Sequence, residues 1–104
     1  MLLYHATELS NLPSIKEEGL ITNLEGVFFA EHADLAAMFL SLRGIRNIVV
    51  LAVELDESDV QESFDHSEEW FKCILKKDSC KCYIYNRNVH PEDISWDKCL
   101  TYNL

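Results

Sequence analysis

Residues 47–55, NIVVLAVEL, constrain the fold more than any other stretch: Ile48 to Val53 are apolar without interruption and rich in β-branched side chains. A run of that length and chemistry predicts a strand, and its lack of in-out alternation predicts a central strand buried on both faces. Other strands are read at 2–7, 27–29, 73–75, 81–85 and 96–104, with 76–79 as a polar turn and 60–66 as a strand end or loop. Helical signals are fewer. Ser10 or Asn11 caps a short helix with Pro13 in its first turn, Leu12 and Ile15 facing inward and Gly19 closing it. A second helix starts near Leu35, where Leu35, Met38, Phe39 and Leu42 recur at i, i+3, i+4 and i+7 and Gly44 follows as a C-terminal stop. Residues 67–71 read as a helical turn capped by Ser67, 20–21 as a short extended piece, and 22–25, 56–59 and 91–94 as loop or turn. Strands outnumber helices and do not alternate with them, so the expected class is α+β, in one domain without repeats or linkers.

The chain has 104 residues, enough to bury about two thirds of its unfolded surface. With 48% hydrophobic residues it is a globular sequence rather than a disordered one. Eighteen acids against nine bases give a net charge of −9, which disfavours an electrostatic grip on nucleic acid or an anionic membrane and favours a basic protein surface as partner. The basic cluster Lys72, Lys76, Lys77 and Lys81 is short. The apolar start at 1–4 is too brief for a signal peptide and no stretch approaches a membrane span, so the expected location is the cytoplasm.

Chemistry enters at 26–39, GVFFAEHADLAAMF. A strand carrying Val27, Phe28 and Phe29 feeds directly into the helix that carries Phe39, and two aromatics held this way can wall a flat slot for a ring. Such aromatics are core residues far more often than ligand walls. His5 sharpens the ligand reading: it ends an apolar strand and is followed by Ala6 and Thr7, small residues that let a ligand approach the backbone.

The four cysteines, Cys73, Cys80, Cys82 and Cys99, are expected to be free thiols in a cytosolic protein. A zinc site on Cys73, Cys80 and Cys82 lacks the paired spacing that grips one ion from a tight turn, so no metal is expected.

The order YHAT (4–7), SIKEEGL (14–20), GVFFAE (26–31) and an A-x-x-F helix resembles the ADP-ribosyltransferase fold, in the branch containing diphtheria toxin and the poly(ADP-ribose) polymerases. The segment YIYNRNVHPEDI (83–94) is similar to the strand-turn ending of DNA-modifying ADP-ribosyltransferase toxins and tRNA 2′-phosphotransferases. The resemblance implies small split antiparallel β-sheets with two short helices, and NAD or an ADP-ribose-type nucleotide as ligand. It places His5 on the family's first-motif His, which bonds the nicotinamide-side ribose. The backbone of Ala6 would pair with the carboxamide, and Thr7 would reach the adenosine-side ribose. Phe28 falls on the second-motif Tyr with Phe29 beside it, and Phe39 on a Tyr that stacks the nicotinamide. Ala36 stands where relatives carry a carboxamide-binding Ser.

The third motif departs from the pattern. Relatives carry a Glu there, whose carboxylate holds a ribose hydroxyl and stabilises the positive charge that grows as nicotinamide leaves. Cys82 takes its place, with Glu62, Glu68 or Glu69 as the carboxylates that would reach the slot from the loop before it. Two functions follow. One is an enzyme binding NAD through His5, Phe28 and Phe39 and transferring ADP-ribose to a protein or nucleic acid. The other is an acidic interaction module without turnover, such as a phage-made inhibitor of a host defence protein. A phosphotransferase is weaker, because that chemistry leans on several Arg and His contacts to phosphate and the arginines here are Arg43, Arg46 and Arg87.

Overall fold

The computed structural model describes residues 1–22, 26–63 and 68–104. Their strands are β1 (Leu2–Glu8), β2 (Val27–Ala30), β3 (Asn47–Glu54), β4 (Val60–Ser63), β5 (Cys82–Tyr85) and β6 (Leu100–Asn103). Their helices are α1 (Leu12–Glu18), α2 (Ala33–Ser41) and α3 (Glu68–Leu75). The strands form one sheet in the order β4-β5-β2-β1-β3-β6, with every neighbouring pair antiparallel. The α+β class is as expected, with one continuous sheet in place of split sheets and three helices in place of two. None of the described helices is long and apolar enough to cross a membrane.

The central run behaves as its composition dictates. β3 lies between β1 and β6, and every residue from Ile48 to Val53 is buried. Alternate side chains enter two cores. Val49, Leu51 and Val53 join Leu3, Ile15, Val27, Phe29, Val89 and Ile94 on the face covered by α1 and the C-terminal turns. Ile48 and Val50 join Ala30, Leu35, Ala36, Phe71, Cys80 and Cys82 beneath α2 and α3. Cover on both faces lets an antiparallel strand read as one unbroken apolar run.

The third helix corrects one reading. Residues 73–75, taken as a strand, complete α3 together with the turn expected around 68–71. Trp70 and Ile74, four apart, are exposed on α3 while Phe71 is buried, as in a helix with one face on the protein. The capping role of Ser67, the loop at 23–25 and residues 64–66 lie outside the described residues. Leu42 does not face inward either: it falls beyond the end of α2 and is 60% exposed. The segment 96–98 is a 3-10 turn ahead of β6 rather than strand.

Two glycines are fixed by conformation and space together. Gly19 ends α1 at φ 77°, and a Cβ there would overlap the Val89 carbonyl oxygen, which accepts the Leu20 N–H at 2.8 Å. Gly26, at φ 84°, opens β2 against β5, where a Cβ would come within 2.5 Å of Asn86 Oδ1 and 2.7 Å of Ile84 Cγ2. Only glycine fits both the left-handed backbone and the space.

Candidate functional site

β1 hydrogen-bonds β3 along its full length, from Leu2 opposite Glu54 to Glu8 opposite Ile48. Towards β2 its register is one pair, Tyr4 with Ala30. Beyond that pair the strands part, and the His5 side chain crosses the gap: Nδ1 lies 2.6 Å from the Phe28 carbonyl oxygen. A carbonyl can only accept, so Nδ1 carries the proton and Nε2 is left as the acceptor of a neutral ring. Burial pulls the His5 pKa below its ordinary value, the bond to Phe28 opposing that shift. No described residue hydrogen-bonds Nε2.

A cavity of about 270 Å³ opens at this parting. Its walls include both His5 and Ala6 from β1, and both Phe28 and Phe29 from β2. Neighbouring residues of a strand point to opposite faces of a sheet, so a closed ladder would keep them out of one cavity. Here residues of both faces border one cavity. His5 packs on Phe29 on the α1 side, ring centroids 5.7 Å apart. Ala36 and Phe39 border the cavity from α2, and Cys82 from β5.

The aromatic walls differ in support. Phe39 stands edge-on to Phe71 of α3 at 4.9 Å, and Phe71 in turn to Trp70 at 4.8 Å, so α3 fixes the Phe39 ring from behind. Phe28 is 42% exposed and forms a lip at the mouth. An exposed large aromatic beside a cavity is a surface that gains from being covered.

The eight residues expected at a site thus sort clearly. His5, Ala6, Phe28, Phe29, Ala36, Phe39 and Cys82 border one cavity, although up to 77 positions separate them in sequence (5 to 82). Thr7 does not: its hydroxyl accepts a hydrogen bond from Asn11 Nδ2 at 2.9 Å, which ties β1 to the turn before α1. Tyr4, Ala30, Leu40, Arg43 and Ser63 also line the cavity and were not foreseen. Ser63 is there because β4 pairs it with Cys82, a register that the sequence does not disclose. Arg43 had a signal, four residues after Phe39.

Cys82 is a neutral thiol. Burial, reinforced by Cys80, Glu31 and Glu68, pushes its pKa up to about 12. None of Glu62, Glu68 and Glu69 lines the cavity. Glu62 is paired with Tyr83 in the β4–β5 ladder, one position off the register that carries Ser63 and Cys82 to the cavity, and so faces the other side of the sheet. Glu68 Oε1 lies 3.5 Å from both Ser79 Oγ and the Cys80 N–H, holding the turn ahead of β5. Glu69 is exposed on α3. Glu31 is likewise engaged, accepting the Lys81 N–H at 3.0 Å.

A second, more open groove of about 450 Å³ lies between α1 and β6, bordered by Leu12, Lys16, Trp96 and Cys99. It is larger, but His5 and the paired phenylalanines border the first cavity and not this groove. Cys73, Cys80, Cys82 and Cys99 are not joined in disulfides, and no cluster of three or more His, Cys, Asp or Glu among the described residues is arranged for a metal ion.

The chain matches no protein-family model and no curated protein sequence at a significant level. Its fold and cavity therefore define it as a class: an antiparallel α+β domain whose central strands part around an aromatic-lined cavity.

Proposed function

We propose that the protein binds the ring end of NAD or of an ADP-ribose-type nucleotide in the cavity between β1 and β2. The observation that supports this reading is the convergence of His5, Phe28 and Phe39, drawn from two strands and a helix, on one opening. A ring entering there meets Phe39 from inside and Phe28 from the lip, while His5 Nε2 accepts a hydrogen bond from a ribose hydroxyl or a carboxamide. The volume, about 270 Å³, falls just under the ~300–1,000 Å³ of pockets that enclose whole drug-sized ligands. One ring and its sugar fill it, and the rest of a dinucleotide lies outside.

Binding is favoured over transfer. Departure of nicotinamide leaves positive charge on the sugar, and a neutral thiol at Cys82 does not stabilise it. Losing a charged group of that kind removes about a hundredfold or more in rate. Calorimetric titration with NAD and with ADP-ribose tests the reading: binding in one-to-one stoichiometry, lost in His5→Ala, is expected. Absence of heat with both ligands would refute it.

The second reading is an acidic module that docks on a basic protein. It draws on the net charge of −9 and on the want of a carboxylate among the described residues lining the cavity. Its mark is a stable complex with a basic partner that His5→Ala leaves intact.

A further inference from the structure

Arg43 is the one charged side chain among the described residues that borders the cavity. It stands in the turn after α2, where its own N–H donates to the Leu40 carbonyl at 3.0 Å and so fixes the backbone from which the exposed side chain extends. Among the described residues no carboxylate forms an ion pair with it; the ion pairs there use Met1, His32, Lys72 and Lys77. In a chain with twice as many acids as bases, 18 to 9, a guanidinium with no carboxylate partner among the described residues, at the edge of an aromatic cavity, is poised for an anion from outside the protein.

The position of that anion follows from the size of the cavity. One ring with its sugar occupies the space between Phe28 and Phe39, and the next group along a nucleotide is a phosphate, which falls at the mouth where Arg43 stands. We infer that Arg43 is a specificity-determining residue that makes the site choose a nucleotide, with its phosphate next to the bound ring and sugar, over the corresponding nucleoside. This rests on the nucleotide reading above. The planar guanidinium gives two parallel N–H donors to phosphate oxygens, which an ammonium does not match.

The test compares nicotinamide mononucleotide with nicotinamide riboside, and AMP with adenosine, by calorimetric titration of the full chain. In at least one pair the phosphorylated member binds about ten times more tightly. Arg43→Ala loses the preference, and Arg43→Lys keeps part of it. Raising the salt concentration narrows the gap, because the contact is at the surface. Melting curves of the variants overlay that of the parent, since Arg43 is exposed. Equal affinity for both members of each pair, or a preference that survives Arg43→Ala, overturns the inference while leaving the nucleotide reading in place. No binding of any of the four compounds, nor of NAD or ADP-ribose, overturns both.

Discussion

The imidazole of His5 donates from Nδ1 to the carbonyl oxygen of Phe28 at 2.6 Å, at the point where β1 and β2 cease to pair. A strand that leaves its neighbour must satisfy the freed carbonyl by other means, and here a side chain does so. That contact fixes the proton on Nδ1 and leaves Nε2 of the neutral ring as an acceptor.

Because burial keeps this imidazole neutral, its folded-state pKa lies below 6.5, whereas the unfolded chain takes up the proton at about that value. The unfolded state then binds more protons in the interval between the two, so stability is whole above pH 6.5 and falls as the pH drops beneath it. Urea unfolding from about pH 7.5 to about pH 5 is expected to show this loss in the parent protein and a smaller one in His5→Ala. The other histidines are common to both proteins, so the difference between the two curves isolates His5. Identical slopes would mean that the ring is solvated.

Thiol reactivity separates the cysteines. Cys73 is exposed on α3, whereas Cys80 and Cys82 are buried with raised pKa values, and the Cys99 thiol is half-buried, also raised, and donates to the Ser95 carbonyl at 3.4 Å. A disulfide reagent at mildly alkaline pH is expected to label one thiol quickly in the folded protein and all four in denaturant. Cys73→Ser should abolish the fast phase. Rapid labelling of Cys82 in the native state would contradict its assignment as a buried neutral group.

Phe71 supports the site without bordering it. Its ring is 5% exposed and braces Phe39 edge-on. Phe71→Ala removes most of a buried aromatic and should destabilise the fold by about 3 kcal/mol. It should also weaken nucleotide binding by loosening Phe39, whereas Trp70→Ala, at a ring 45% exposed, should affect both much less. Denaturant midpoints and titrations on the same three proteins make the comparison; equal effects from the two substitutions would show that α3 does not brace the wall.

The sequence disclosed most where one physical signal dominated. The unbroken apolar run at 48–53 became the buried β3, and the change from β-branched and aromatic residues at 27–29 to helical spacing after Leu35 marked the passage from β2 to α2. Seven residues chosen from the strand-helix pattern and the family resemblance border one cavity. What escaped was set by register and by competition between periods. Cys73, Ile74 and Leu75 form an apolar triplet that reads as a strand by itself, and only with Trp70 and Phe71 one turn earlier does it become the inner and outer faces of α3. Thr7 looked like part of a YHAT motif, but Asn11, four residues on, captures its hydroxyl. The single sheet was also hidden, because strand order and register, such as the lone β1–β2 pair of Tyr4 with Ala30, are not written in local pattern.

Glycine substitutions distinguish two constraints that the backbone imposes near the site. Gly26 and Gly44 share almost the same dihedral, φ 84° and 85°, yet a Cβ at Gly26 would collide with Asn86 and Ile84 while one at Gly44 would meet nothing within 4 Å. Gly44→Ala therefore carries only the cost of a left-handed residue, about 1 kcal/mol. Gly26→Ala adds a clash that pushes β2 from β5 and should cost about 2 kcal/mol or more. The two also differ in reach: β2 carries Phe28, so displacing it moves the lip and the carbonyl that His5 bonds, and Gly26→Ala should weaken nucleotide binding where Gly44→Ala does not. Unfolding midpoints with parallel titrations read both effects, and equal losses of stability would show that conformation alone, not space, fixes glycine at the start of β2.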